Sequence, residues 1–301
     1  MNKSGVSELV DRASPVAIGE ASGCQPTTIP VPHSIIRPRS GFSTLDMHEL
    51  WRYRELLFIF GLRDLKLRYR QTFLGVMWVI LQPLLAAGIF GFVFGTVAKL
   101  PSAGLPYFLF AYAGLLGWNA FQSTLMKASA CVVQSANLIS KVYFPRMILP
   151  ISTGLSTVID FAVALALLAC LLPFWVTFGP RLLLVPVWLG MIYLMSLGLG
   201  LFVAAVMVRY RDVQYVLPVV VQLGMFATPV AYGVSAIPEK YRFFVYWNPL
   251  SAMIEGLRGS LLGTQQPSWQ WIVYSGICAV LIFLGGTFSF RRMERDFADV
   301  I

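Results

Sequence analysis

Asp160 is the residue whose position most strongly suggests a functional role. It is the only acidic side chain in the apolar run 147–172, and it lies near the middle of that run. A carboxylate at that depth in a membrane helix costs about 2.5–3.5 kcal/mol on insertion scales, so such residues face the interior of a helix bundle. Two roles are open. Asp160 either lines a transport path or acts as a structural cap near Ser156, Thr157 or a polar group of another helix.

Residue types that carry out covalent or metal chemistry are scarce in the apolar part of the chain. The two histidines, His33 and His48, precede the first apolar run, and the four cysteines are too widely spaced for a metal or redox motif. A phosphate-binding loop needs Gly-Lys followed by Ser or Thr, and none of the lysines follows a glycine. We therefore expect no catalytic, cofactor or metal site on this chain, and no ATP binding through that motif.

Two short charged motifs flank or interrupt apolar runs. Arg211-Asp212 falls between two runs, where it would act either as an ion-pair switch or as a membrane anchor. Glu255 and Arg258 are three residues apart, a spacing that places both side chains on one face of a helix and predicts an ion pair.

Aromatic residues crowd the run 107–127. Most are explained by the belt of Trp and Tyr at a membrane surface. Tyr112 and Trp118 lie deeper in the run than such a belt, so they are candidates for lining a transport path.

The composition shows which environment must hold these residues. Of the 301 residues, 57% are hydrophobic and 12% are charged, whereas a soluble domain is about 25% charged. Much of the surface must therefore face lipid. The formal net charge of +9 is explained by Lys and Arg on cytoplasmic loops beside anionic lipids, and we expect no nucleic-acid partner.

Six apolar runs are long enough to cross a bilayer, which takes about 20 residues. They are 72–97, 107–127, 147–172, 182–208, 213–232 and 269–290. The segment 243–262 is nearly as long, but Asn248-Pro249 interrupts it, and Glu255 and Arg258 charge its second half. We predict an all-α integral membrane protein with six transmembrane helices and a re-entrant helical hairpin at 243–262, between the fifth and sixth spans.

The remaining segments are predicted to lie outside the bilayer core. Residues 1–46 are polar and rich in Pro, Ser and Gly, and they are predicted to be a disordered cytoplasmic tail. Residues 47–70 gather Arg52, Arg63, Lys66 and Arg70 on one helical face. This pattern predicts an amphipathic interface helix, with a plain basic juxtamembrane stretch as the alternative. Residues 71–292 would form the transmembrane domain, and 293–301 a cytoplasmic C-terminus.

The distribution of positive charge predicts the orientation. The chain has 23 Lys and Arg residues, and most fall in the segments that share a side with the N-terminus. The exceptions are Lys99, Arg181, Lys240, Arg242 and Arg258. Positive residues collect on cytoplasmic loops, so both termini are expected in the cytoplasm.

Four motifs, in order along the chain, carry a resemblance to a known family. They are Arg68-Tyr69-Arg70-Gln71-Thr72-Phe73-Leu74-Gly75 with Trp78 and Gln82-Pro83; Arg211-Asp212-Val213; Thr228-Pro229-Val230; and Asn248-Pro249-Leu250 followed by Glu255 and Arg258. From about residue 50 to 292 the chain resembles ABC-2 type export permeases, most closely the polysaccharide and O-antigen export branch.

This resemblance implies a homodimer in the bacterial inner membrane that moves a lipid-linked polysaccharide, contacts membrane lipids and is driven by separate ATPase subunits. ATP and Mg would bind those partners and not this chain. Residues 129–146, with Gln134, Asn137 and Lys141, would contact the ATPase, or would form only a connecting helix. Asp160 would hydrogen-bond sugar hydroxyls.

Three other functions are alternatives to this one. The first is an ABC-2 permease for another cargo, such as capsule, teichoic acid or a drug. The second is a membrane-bound glycan-processing enzyme, which should gather several acids or histidines near one membrane face. The third is an ion-coupled transporter, which commonly places several ionisable groups at the midplane. The sequence shows one such group, Asp160, and no internal repeat.

Overall fold

The computed structural model describes residues 51–294, apart from 52, 71–74, 103, 140, 143 and 173–178. The predicted tail, 1–46, therefore lies outside the described residues, as do residues 295–301. Within the described part the chain is helical and has no strand. In chain order the α-helices are α1 Arg54–Arg70, α2 Gly75–Phe90, α3 Tyr107–Gln134, α4 Ala136–Ile139, α5 Ile148–Leu171, α6 Val185–Arg209, α7 Val213–Ala227, α8 Glu239–Trp247, α9 Pro249–Leu262 and α10 Trp269–Glu294. A π-helical segment, Gly91–Val97, continues α2, and Pro180–Leu184 is a 3₁₀ turn that leads into α6.

Four helices in the described part are long and apolar enough to cross a membrane: Ile80–Val97, Ile148–Leu171, Pro180–Arg209 and Trp269–Glu294. This finding confirms the prediction of a helical, multi-pass membrane protein. A fifth helix, α7, is apolar but has only 15 residues. It ends at Ala227 because Pro229 disfavours the helical conformation for the residue before it.

The core is built around α3, the longest helix, with 28 residues. From Tyr107 to Phe121 every residue except Phe108 and Asn119 is buried. The helix packs against α2, α5, α6 and α9. Protein surrounds α3, so its polar residues Gln122, Thr124 and Lys127 need not face lipid. The structure extends α3 to Gln134, whereas the predicted span ends at residue 127.

Glycines allow α6 and α10 to pack at close range. A Cβ on Gly198 would lie 2.5 Å from the Cα of Phe283, and a Cβ on Gly286 would collide with the carbonyl oxygen of Gly198. Membrane helices associate through such small residues because lipid gives no hydrophobic incentive to pack. Helix α10 is thereby held against α6.

The surfaces of α2, α7 and α10 are rich in exposed apolar side chains. They include Leu85, Ile89, Phe92, Val216, Val219, Leu223, Phe226, Val273, Ile277, Leu281 and Phe288. A water-facing surface would not carry so much apolar area, so these faces suit lipid or another apolar protein surface.

Helix α1 packs on α5 through an edge that the charge pattern did not identify. Phe60 and Gly61 are buried, and a Cβ on Gly61 would lie 2.7 Å from Cδ2 of Leu155. Phe58, in contrast, is 54% exposed. Arg63 is exposed, and its guanidinium lies 5.1 Å from the Phe60 ring centroid and 3.0 Å from Asp64 Oδ1.

Candidate functional site

A buried arginine joins three parts of the chain at the end of the bundle where α3 begins. Arg258 on α9 is fully buried, and its Nη1 lies 2.9 Å from Oε2 of Glu255, so the i, i+3 spacing predicted the pairing correctly. Its Nη2 donates to the carbonyls of Pro229 (2.9 Å) and Val230 (2.6 Å). Its guanidinium carbon lies 4.2 Å from the ring centroid of Phe110 on α3. We refer to Arg258, Glu255, Phe110 and the turn 228–232 as the arginine cluster.

The Asn-Pro motif positions α9 so that Arg258 reaches this turn. Asn248 is the N-cap of α9, since its Oδ1 accepts a hydrogen bond from Leu250 N, and Pro249 occupies the first helical position. The Nδ2 of Asn248 donates to Oγ1 of Thr228 at 2.9 Å, which ties the cap to the same turn. At its other end α9 stops at Gly263, whose φ of 70° suits glycine.

Helix α3 completes the arginine cluster through close approach. A Cβ on Gly114 would collide with Nη2 of Arg258 and the carbonyl oxygen of Val230, so only glycine fits there. Tyr107 donates its hydroxyl proton to the carbonyl of Ala231 at 2.9 Å. The cluster thus binds α3, α9 and the turn after α7 into one unit. Losing one partner of a buried ion pair commonly costs about 3–5 kcal/mol.

A second ion pair links α3 to α5. Nζ of Lys127 lies 3.2 Å from Oδ2 of Asp160 and 3.0 Å from Oγ of Ser156. The side chains are 32% and 16% exposed, respectively. Beside the pair, the hydroxyl oxygens of Thr124 and Thr157 lie 3.1 Å apart. Lys127 on the neighbouring helix α3 thus holds Asp160 in place. Such a contact is what a structural-cap role for Asp160 requires.

Tyr112 and Trp118 lie inside the core of this chain, 1% and 2% exposed. The Tyr112 hydroxyl donates to the carbonyl of Ala164 at 3.0 Å, and Nε1 of Trp118 donates to Oε1 of Gln122 at 2.9 Å. These bonds satisfy both polar groups among helices of one protomer. That these rings line a path stays a prediction.

The segment predicted to meet the ATPase follows α3 at the opposite end of the helix from the arginine cluster. Gln134, Asn137 and Lys141 are exposed. The separate helix in this segment, α4, is only four residues long, because α3 itself continues to Gln134.

An apolar cluster anchors this segment. Phe60 of α1 and Phe144 meet edge to face at 5.6 Å, and Leu138 and Ile139 pack against the same cluster. Nη1 of Arg146 donates to the carbonyl of Glu294 at 2.9 Å, which links the segment to the end of α10. We refer to residues 134–147, with Phe60 and Glu294, as the loop end of the bundle.

Arg211 and Asp212 are exposed where α6 leads into α7. Among the residues that the structure describes, neither forms a salt bridge. The Asp212 carbonyl accepts from Tyr215 N (3.0 Å) and Val216 N (3.2 Å) at the start of α7. This geometry favours anchoring over an ion-pair switch. The side chains of motif 68–75 and of Trp78 lie outside the described residues.

The structure brings together three motifs that the sequence identified separately: Thr228-Pro229-Val230, Asn248-Pro249-Leu250, and Glu255 with Arg258. It keeps Asp160 apart from them. Sequence reasoning missed Lys127, which it counted as a loop residue, although Lys127 is the only Lys or Arg between Tyr107 and Gln134. In the described part, no group of three His, Cys, Asp or Glu side chains is placed to hold a metal ion.

Comparisons with known proteins agree with this architecture. The family model described as ABC-2 type transporter matches residues 55–262, which is more than half of the chain. The chain is 27% identical over 263 residues to the O-antigen export system permease protein RfbA of Myxococcus xanthus, covering 85% of this chain and 98% of that protein. It is 26% identical over 253 residues to RfbA of Klebsiella pneumoniae, covering 82% and 95%. It is also 27% identical over 212 residues to the polysialic acid transport protein KpsM of Escherichia coli, covering 67% and 79%.

Proposed function

The chain belongs to the ABC-2 type transporter family, and we propose that it is the permease subunit of an exporter that moves a lipid-linked polysaccharide, such as O-antigen, across the bacterial inner membrane. The observation that carries this proposal is the match to O-antigen export permeases over 85% of this chain and 98% of the relative. The similarity to KpsM favours an acidic polysaccharide as the second candidate cargo.

A separate ABC ATPase would supply the energy. The sequence has no Gly-Lys step for a phosphate-binding loop, which supports placing ATP and Mg on that partner. Two copies of this chain would form the permease. The exposed apolar faces of α2 and α7 support a second copy or lipid as their neighbour.

The proposed topology has six spans, with both termini in the cytoplasm. Helix α3 would cross the membrane inside the bundle. Helix α7, together with the turn 228–232, would form the remaining span. Helices α8 and α9, with 9 and 14 residues, are about 14 and 21 Å long, too short to cross a core of about 30 Å. They would therefore form the re-entrant hairpin, which the burial of α9 supports because non-spanning backbone at membrane depth needs protein cover.

The proposed mechanism uses α3 as the connecting element. With 28 residues it is about 42 Å long, and it runs from Phe110 in the arginine cluster to Gln134 at the loop end. The ATPase would contact Gln134, Asn137 and Lys141, and closure of two ATPases would push this end. A rigid helix would then carry the displacement past Asp160 to the arginine cluster.

The other proposed sites act in that displacement. The arginine cluster would keep α3, α9 and the turn after α7 together as one body. Arg211 and Asp212 would hold the α6–α7 connection at the membrane surface. Asp160, Tyr112 and Trp118 would meet the polysaccharide when the helices around them separate.

Co-purification tests the partnership. The chain would be expressed with a candidate ABC ATPase from the same organism and isolated through a tag on the permease. We expect the ATPase in the eluate, and we expect Lys141→Glu combined with Gln134→Ala to reduce its yield. Lys240→Glu, an exposed change on α8, should leave the yield unchanged. Surface polysaccharide made by cells that contain this chain without any ATPase would refute the proposal.

A further inference from the structure

Helix α8 carries a row of aromatic side chains on its exposed face. Lys240, Phe243, Phe244 and Trp247 follow one another at i, i+3, i+4 and i+7 spacing, which places them on one face of the helix. The three rings are 54%, 65% and 62% exposed, and within α8 no residue is buried. So much exposed apolar area on one short helix marks a surface that meets a partner. We refer to these four residues as the α8 stripe.

Ring contacts fix α8 beside the beginning of α10. The Tyr246 ring stacks on that of Trp271, with centroids 5.3 Å apart and planes 15° apart. Phe243 meets the same indole at 5.8 Å. The hydroxyl of Tyr274 donates to the carbonyl of Trp247 at 3.1 Å. Helix α8 therefore lies against the first two turns of α10, which begins at residue 269.

The position of α10 indicates the depth of α8 in the membrane. Helix α10 is long and apolar enough to span, and in the proposed topology it enters the bilayer from the outer side at Trp269, which is 71% exposed. The helix from Trp269 to Tyr274 covers about 8 Å. An interfacial helix buries its apolar face about 5–10 Å into the boundary between headgroups and acyl chains. The aromatic half of α8 thus lies at that boundary.

The charges of α8 lie at its other end. Glu239 and Lys240 are exposed in the first turn, and the Arg242 guanidinium lies 3.4 Å from the Glu239 carboxylate. Lys240 precedes the rings of the stripe by about one turn, and its long stem lets the ammonium reach headgroup phosphates while the rings lie deeper. A helix with charges at one end and exposed rings at the other suits the passage from water to hydrocarbon.

We propose that the α8 stripe is a lipid-binding surface, whose three rings enter the outer leaflet at the acyl boundary and whose Lys240 ammonium binds phospholipid phosphates. The bilayer holds α8 on one side, and α10 holds it on the other. Trp247 is followed by Asn248, whose amide donates to Thr228, so the lipid surface helps to fix the arginine cluster. The assignment rests on the proposed function, because the topology proposed there places the start of α10 at the outer face.

Fluorescence quenching from lipid and from water tests this placement. A fluorophore is attached to Phe244→Cys or Trp247→Cys in the permease–ATPase complex, with the four native cysteines replaced. Each complex is placed in phosphatidylcholine nanodiscs. Phosphatidylcholine brominated on its acyl chains quenches from the lipid, and iodide quenches from water. We expect the brominated lipid to remove most of the fluorescence at both positions and iodide to remove little.

The matched control is Glu239→Cys at the charged end of α8, where the side chain is 89% exposed. Iodide should quench the fluorophore there, and brominated lipid should not. Iodide quenching at 244 and 247 equal to that at 239 would overturn the inference, because the stripe would then face water or polymer. Protection from both quenchers would also overturn it, because a second copy of the chain would then cover the rings.

Two double variants test the same surface without a label. Phe244→Leu with Trp247→Leu removes the rings but keeps the face apolar, whereas Phe244→Gln with Trp247→Gln makes it polar. A lipid contact predicts near wild-type export and unfolding midpoint for the leucine variant, and losses of both for the glutamine variant. Stacking of sugars on the rings predicts equal losses of export. Equal behaviour of the two variants would therefore overturn the inference.

Export by the wild type separates the two proposals. If iodide reaches the stripe while ATP-dependent export persists, the lipid-binding surface is refuted and the proposed function stands. If export proceeds without the ATPase, the proposed function itself fails.

Discussion

The two ion pairs of the bundle differ in what surrounds them. Arg258 and Glu255 are 1% and 16% exposed, and the guanidinium also contacts two carbonyls at 2.9 Å or less and an aromatic ring. The side chains of Lys127 and Asp160 are 32% and 16% exposed, and the ammonium also lies 3.0 Å from Oγ of Ser156. The arginine side chain is enclosed by protein, whereas about a third of the lysine side chain is exposed. The comparison shows that one ion pair is enclosed where three parts of the bundle meet, while the other joins α3 to α5 with its lysine side chain partly exposed.

The largest effect should follow from removing the enclosed cation. Arg258→Met leaves Glu255 and the carbonyls of the turn 228–232 without their partner, so we expect about 3–5 kcal/mol of lost stability. Chemical unfolding of the purified permease measures it. The matched control is Arg242→Met, which breaks an i, i+3 pair with Glu239 that lies 3.4 Å apart at the surface. That change should cost no more than about 1 kcal/mol. Equal losses in the two variants would show that the arginine cluster does not hold the fold.

A change on α3 tests the same cluster without removing a charge. Gly114→Ala forces a methyl group into Arg258 Nη2 and the Val230 carbonyl, and we expect about 1–3 kcal/mol of destabilisation from overpacking. Gly190→Ala on α6 is the control, because a methyl group there meets open space. The same unfolding assay compares the two. If Gly114→Ala is as stable as Gly190→Ala, the contact between α3 and Arg258 is looser than the structure indicates.

The smallest stability effect should follow from neutralising the acid of the Lys127–Asp160 pair. Asp160→Asn keeps a side chain that can accept a hydrogen bond from Lys127, and Lys127 stays 32% exposed, so we expect about 1 kcal/mol of lost stability. Export should fall while the protein remains folded, because the proposed transport path loses the carboxylate that would meet the polysaccharide. Surface polysaccharide and unfolding are measured on the same preparations. Unchanged export would remove Asp160 from the transport path.

The sequence predicted the motifs that form the arginine cluster better than it predicted the contacts between those motifs. Thr228-Pro229-Val230, Asn248-Pro249 and Glu255 with Arg258 were each recognised locally, through turn, cap and i, i+3 spacing. Their common partner is a set of backbone carbonyls and the Phe110 ring, which no spacing rule identifies. Such contacts depend on how α3, α7 and α9 pack, and that packing is tertiary.

Lys127 shows a second limit of prediction from sequence, which concerns where a helix ends. A charge at the edge of an apolar run was interpreted as the beginning of a loop, because hydropathy cannot tell a helix end from a polar residue inside a bundle. The helix continues to Gln134 since its neighbours, and not lipid, surround it. An acid in the middle of a run should therefore prompt a search for a cation in the adjacent runs, and Lys127 is the only Lys or Arg in the runs 107–127 and 182–208.

Transport in a reconstituted system tests the central claim most directly. The permease and its ATPase would be placed in liposomes with a lipid-linked polysaccharide on one face, and polymer that reaches the other face would be measured with and without ATP. We predict ATP-dependent translocation that requires both proteins and stops when the phosphate-loop lysine of the ATPase is replaced. Translocation by this chain alone, or ATP hydrolysis with no movement of polymer, would contradict the account.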